Sequence, residues 1–176
     1  MLITSQEAQK QAALNLAYSI CAAARTAPKA RGIDHMDTAI LTGEDTQKIV
    51  EEMRKMSEEF SLPFFARDAG NVEKSEAIVL IGVKRETRGL NSACKLCGFS
   101  DCGECSEKGA LCVFTGMDLG IALGSAVALA ADNRVDNRLM YTIGKAAASL
   151  GYLGEYNIII GIPLSVSGKS VFFDRA

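Results

Sequence analysis

"AIVLIGV", residues 77–83, is an unbroken run of apolar and small residues. A strand wetted on one face alternates apolar with polar side chains, so this run predicts a central strand covered on both faces. "YNIIIGIPL", residues 156–164, reads the same way and predicts a second central strand. "TAIL", residues 38–41, reads as a short strand, and "SVFFD", residues 170–174, as a further one after the "SGK" turn.

Helical signals lie between these strands. "TSQE", residues 4–7, is a capping box that opens a helix, which must stop before Pro28. Leu14, Ala17, Tyr18 and Cys21 share one face of it, which makes Cys21 a core residue. "TGED", residues 42–45, opens a second helix with Ile49, Val50, Met53, Met56 and Phe60 at helical period. Asp118 is the expected cap of a third helix, in which Gly120, Gly124 and Ala128 let another backbone come close. A fourth, within residues 133–150, is expected to bury Leu139, Met140, Ile143, Ala146, Ala147 and Leu150 and to end at Gly151. The order predicts one α+β domain over residues 1–176, an α/β sandwich with a mixed sheet.

At 176 residues the chain can bury a full core without metals or disulfides. Its formal charge of −2, with both signs interspersed, gives no pull toward nucleic acid or anionic membranes. The start "MLITSQEAQKQ" lacks a basic-then-apolar signal pattern, and the strongly apolar run 119–131 is too short to span a bilayer. The expectation is a cytoplasmic protein, where thiols stay reduced and structural disulfides are rare.

Against that background the spacing Cys94-x2-Cys97-x4-Cys102-x2-Cys105-x6-Cys112 stands out, because it gathers five of the six cysteines. It falls in a cysteine-rich segment, residues 91–116. A zinc ribbon separates its two C-x2-C knuckles by about 15–20 residues, and here only four intervene. An iron–sulfur cluster is larger than one ion and is reached by short loops of closely spaced thiolates. Gly98 and Gly103 allow tight turns that aim backbone amides at sulfur. Cys97, Cys102 and Cys105 reproduce the plant-type [2Fe–2S] spacing, which wants a ligand further downstream than Cys112. Cys94, Cys97, Cys102 and Cys112 give four thiolates for a [4Fe–4S] cubane, with Cys105 spare. Zinc is the runner-up metal.

The segment "LCGFSDCGEC", with "DLGIALGSAVALAADNRVDNRLMYTIGKAAASLGY" and "GIPLSVSGKSVFFDR" after it, resembles the ferredoxin-domain-containing proteins, a family of unknown function. The resemblance covers nearly the whole chain, and its cysteine pattern favours Cys94, Cys97, Cys102 and Cys112 as ligands; Cys105 departs from it. "AARTAPKARG", residues 23–32, and the small-residue helix after Asp118 are similar to the early turn and central dimer helix of FMN-dependent nitroreductases. That likeness implies a three-layer sandwich, a homodimer and a flavin pocket at the subunit interface. Lys29 stands at that turn's serine position, a departure from the pattern.

Arg25, Lys29 and Arg31 cluster around Pro28, where they could hold a flavin phosphate or simply complement a helix C-terminus. His35, the single histidine, reads as polar surface, and Ser165, Ser167 and Lys169 as a hairpin turn rather than Ser–Lys chemistry. In "NRVDNR", residues 133–138, the two arginines could pair with Asp132, Asp136 or a partner chain. Two functions compete on this reading. One is electron transfer within a redox enzyme, an oxidoreductase with flavin, serving a redox partner protein. The other is a non-enzymatic zinc or iron–sulfur module for redox sensing or interaction.

Overall fold

The run at 77–83 forms the strand that its composition predicts, and every residue of it is buried. The computed structural model describes residues 1–156 and 158–173. Its elements are α1 (Ser5–Thr26), β1 (Met36–Leu41), α2 (Glu44–Glu59), α3 (Pro63–Val72), β2 (Ala77–Val83), α4 (Cys102–Glu107), α5 (Val113–Asp132), β3 (Asp136–Asn137), α6 (Tyr141–Ser149) and β4 (Ile158–Ser165). Short 3-10 turns occupy Ala30–Gly32 and Asn91–Ala93.

The strand order is β1-β2-β4-β3, so β2 and β4 are central, as their composition requires. The pleat of β2 sends Ala77, Val79, Ile81 and Val83 to the face covered by α1 and α5. Ile78 and Leu80 go to the other face, covered by α2, α3 and α6. The result is a three-layer α/β sandwich. Within it the sheet is antiparallel at every described pairing rather than mixed. Two helices, not one, separate β1 from β2, so the chain re-enters the sheet reversed; a single crossover helix would have returned it parallel.

The capping box forms as read: Glu7 N–H donates to Thr4 Oγ1 at 3.2 Å, and Thr4 N–H donates to the Glu7 carboxylate at 2.8 Å. The buried face of α1 is Ala13, Leu16, Ala17, Ile20 and Ala24. Tyr18 is exposed and Cys21 half-buried, packed at the edge of the core. The predicted face is therefore rotated toward Ala13, Leu16, Ile20 and Ala24, with Ala17 shared. Phe60 is likewise exposed at the end of the α2 stripe.

Helix α5 starts at Val113, so Asp118 lies inside it, buried, and is not its cap. The helix predicted within 133–150 divides into β3 and α6; Leu139 and Leu150 are exposed, while Met140, Ile143, Ala146 and Ala147 are buried. Residues 171–173 form bends and Ser170 is irregular, so no strand forms there, and Asp174 lies outside the described residues. By length and apolarity α5 could cross a bilayer, yet one side of it packs into the core with α1 and the sheet.

Helix α6 sits directly on β4 because two glycines meet there. A Cβ on Gly144 would stand 1.7 Å from the Ile159 carbonyl oxygen, and one on Gly161 would stand 2.1 Å from Ile143 Cγ2. Gly144→Ala should cost about 1–3 kcal/mol of stability, as overpacking does. Gly70→Ala, in open space on α3, should gain about 0.5–1 kcal/mol from helix propensity. Urea melts of the two variants check this; equal midpoints would contradict the close packing of α6 on β4.

Candidate metal centre

The cysteine segment is inserted between β2 and α5. Asn91, Lys95 and Gly98 adopt left-handed backbone there, with φ of +49°, +51° and +81°, which lets the chain double back repeatedly. Gly98 uses the freedom expected of it. Gly103 does not, because it lies within α4. That short helix is secured by Asp101, whose carboxylate accepts the Glu104 N–H at 2.9 Å. The Glu104 carboxylate in turn accepts the Ser100 N–H at 2.9 Å.

Folding brings together all five cysteines that the spacing singled out. Cys94, Cys97, Cys102, Cys105 and Cys112 line one small hollow, with Arg88, Phe99 and Phe114 among its other walls. All are free thiols; the first three are half-buried, and Cys105 and Cys112 are buried. Cys97 Sγ accepts the Val113 N–H at 3.2 Å, and Cys102 Sγ accepts the Asn91 N–H at 3.3 Å. Backbone amides are thus already directed at two of the sulfurs.

Cys105 behaves differently. Only 1% exposed, it donates its S–H toward the Ala110 carbonyl at 3.8 Å. Burial pushes its pKa up, and the neighbouring Cys97, Cys112 and Cys102 push it further. Among the described residues, no group of three His, Cys, Asp or Glu is arranged to hold a single metal ion.

Behind the hollow lies a residue that sequence reasoning missed. Arg88, 2% exposed, donates from Nε and Nη2 to Asp118 Oδ2 at 3.0 and 2.8 Å. Asp118 Oδ1 accepts the Ala30 N–H at 2.9 Å. Arg88 Nη1 reaches the Glu86 carbonyl at 2.9 Å and His35 Nδ1 at 3.0 Å. Since a guanidinium cannot accept, His35 Nδ1 is the acceptor, and its Nε2 faces the Glu86 carboxylate at 3.2 Å. His35 is thus part of a network instead of plain polar surface. Nothing in "KRETRG", residues 84–89, distinguishes Arg88 from its charged neighbours.

The three basic residues near Pro28 each have partners within the chain. Arg25 donates to the Met36 carbonyl and pairs with Asp34 at 3.2 Å. Lys29 Nζ donates to the Arg25 and Ala27 carbonyls at 2.6 and 2.9 Å, closing the end of α1. Arg31 Nη1 donates to the Arg88 carbonyl at 2.7 Å, which ties the turn to the cysteine segment. Arg25 and Arg31 remain exposed alongside these intrachain contacts. Ser165 is a buried β4 residue, and Ser167 bonds to the Lys169 carbonyl, so this stretch carries no nucleophile geometry. Arg138 reaches the Phe172 carbonyl at 3.5 Å and Asp68 at 3.9 Å.

A family model described as "Uncharacterized protein containing a ferredoxin domain (DUF2148)" matches residues 108–175, which include Cys112 and all of α5. An uncharacterized protein of Archaeoglobus fulgidus is 40% identical over 185 residues, spanning 100% of this chain and 98% of its own length. Among solved structures, a BluB-like flavoprotein from Clostridium difficile 630 is similar with a TM-score of 0.61 at 16% identity, over 96% of this chain and 83% of that one. A nitroreductase with bound FMN from Desulfitobacterium hafniense DCB-2 gives a TM-score of 0.57 at 13% identity, over 96% and 81% of the two chains. These likenesses are of fold, and the fold is nitroreductase-like.

The differing environments of the thiols have a chemical consequence. In reduced, metal-free protein, iodoacetamide should alkylate Cys94, Cys97 and Cys102 well before Cys105, because the thiolate is the reacting form. Peptide mapping by mass spectrometry reads the order. Modification of Cys105 at the rate of the other three would contradict its placement.

Proposed function

The chain belongs to the family of uncharacterized proteins containing a ferredoxin domain, and we propose that it is an iron–sulfur protein that transfers electrons within or alongside a redox enzyme. The observation that carries this reading is the hollow where five cysteines meet and two sulfurs accept backbone N–H bonds. Hydrogen bonds to sulfur, together with burial, are what set the potential of a thiolate-ligated cluster. The residues present therefore fit such a group.

Cys94, Cys97, Cys102 and Cys112 are the proposed ligands of a [4Fe–4S] cluster. Cys112 stands at the cap position of α5, so the helix N-terminus adds favourable potential for its thiolate. Cys105 is the spare thiol, consistent with its donating to a carbonyl rather than accepting from an amide. When bound, the cluster supplies a one-electron redox couple. The chain's own part is to hold it, to direct amides at its sulfur ligands and to limit its contact with water.

Serine substitutions test the assignment. Protein prepared without oxygen should contain iron and acid-labile sulfide, and Cys94→Ser, Cys97→Ser, Cys102→Ser and Cys112→Ser should each lose most of both. Cys105→Ser should keep them. Loss at Cys105 with retention at Cys94 would support the plant-type ligand set instead, and stoichiometric zinc without sulfide would end the electron-transfer reading.

A flavin is the second reading, and its support is the fold shared with solved flavoproteins. Because Arg25, Lys29 and Arg31 spend donors inside the chain, no step is assigned to it.

The assembly proposed is a homodimer about α5. Val113, Gly116, Met117, Gly120, Ile121, Gly124 and Ala128 form an exposed apolar stripe along the helix. Met117 and Ile121 are 49% and 42% exposed, and a Cβ on any of the three glycines meets nothing. A stripe like this supports a self-complementary contact with a second copy around a two-fold axis. Gly124→Leu should then release monomers in analytical ultracentrifugation. A wild-type chain that sediments as a monomer would contradict the dimer.

A further inference from the structure

The cysteine segment is closed at its base by the Arg88–Asp118 pair. Arg88 lies six residues before Cys94, and Asp118 lies six residues after Cys112. The pair joins the two ends of the segment at 2.8 and 3.0 Å, in a place where water does not reach. Two more bonds fasten the same base to the rest of the fold. Thr115 Oγ1 donates to the Glu86 carbonyl at 3.0 Å, and Arg31 Nη1 donates to the Arg88 carbonyl at 2.7 Å.

A guanidinium carries five N–H bonds. Four of those of Arg88 are occupied: Nε and one of Nη2 by Asp118, and the two of Nη1 by Glu86 and His35. The second hydrogen of Nη2 has no acceptor among the described residues, and Arg88 is itself a wall of the cysteine hollow. A buried donor left over in the wall of a hollow lined by sulfurs calls for an acceptor there.

We propose that Arg88, held by Asp118, is a positioning residue for the cluster: it fixes the two ends of the cysteine segment and offers its remaining N–H to sulfur in the hollow. The proposal rests on the iron–sulfur reading of the same site. An N–H donated to a ligand sulfur favours the cluster's more negative, reduced state, so Arg88 raises the reduction potential even though Asp118 balances its charge. By fixing the loop it also slows loss of iron.

The test uses full-length protein loaded and purified without oxygen. Arg88→Lys keeps a charge but cannot form the two-pronged contact with Asp118. The double variant Arg88→Met with Asp118→Leu removes donor and counter-charge together, so no unpaired charge is left in the core. Iron and sulfide content, melting temperature, midpoint potential by spectroscopic redox titration, and the rate of iron release to a chelator are read for each. The double variant is expected to fold and to take up the cluster with a lower midpoint potential. Its iron should leave about 10- to 100-fold faster, the usual scale of supporting-residue effects. Arg88→Lys should fall between it and wild type. Folded, loaded variants with the wild-type potential and release rate would overturn the role of Arg88 while leaving the cluster reading intact. Wild-type protein without iron and sulfide would overturn the cluster reading itself.

Discussion

A buried charge must be answered where it lies, and the answer to Arg88 is Asp118. Removing both ions from water costs several kcal/mol each, which their attraction and hydrogen bonds offset only when the geometry is good. The pair is thus a poor source of net stability. What it supplies is placement. Asp118 can meet Arg88 and the Ala30 N–H together only if α5, the turn after α1 and the strand exit from β2 stand in one arrangement. Breaking one partner alone leaves a bare charge in the core, at a cost of about 3–5 kcal/mol. The cysteine segment hangs from this point, and its five thiols meet because its two ends are fixed.

The sandwich around this point divides labour between its faces. On one side α1 and α5 bury alanines together with Leu16, Ile20, Leu119 and Leu123, and the cysteine segment leads into the start of α5. On the other, larger side chains from α2, α3 and α6 fill the core, with Gly144 letting α6 touch the strand. The sheet therefore holds α5 rigid from beneath, and the rigid N-terminus of α5 presents Cys112 and the Val113 amide to the hollow. Rigid support of this kind suits a redox site, since a cluster's potential depends on hydrogen bonds that must not drift.

Much of this was legible in the sequence where a local rule decides. The apolar runs gave β2 and β4, the capping box gave the start of α1, and Gly151, at φ +78°, ends the stretch that holds α6. The cysteine spacing named all five cysteines that line the hollow. The misreadings share one cause: long-range partners overrode local signals. Asp118 has a cap's chemistry, yet its oxygens are claimed by Arg88 and Ala30 from elsewhere in the chain. The stretch 133–150 has helical period, yet Asp136 and Asn137 pair with Ser165 and Leu164. Tyr18 shares the apolar stripe of α1, but the core is met by the neighbouring face of Ala13, Leu16, Ala17, Ile20 and Ala24. Arg88 left no trace because a lone arginine among charges shows its role only through what surrounds it.

The central claim is that these cysteines hold a cubane iron–sulfur cluster, and Mössbauer spectroscopy of the iron in protein grown and purified without oxygen tests it most directly. The account predicts the spectrum of a [4Fe–4S] cluster that changes on one-electron reduction. A [2Fe–2S] spectrum would contradict the proposed ligand set, and a protein with zinc in place of iron would contradict the claim itself.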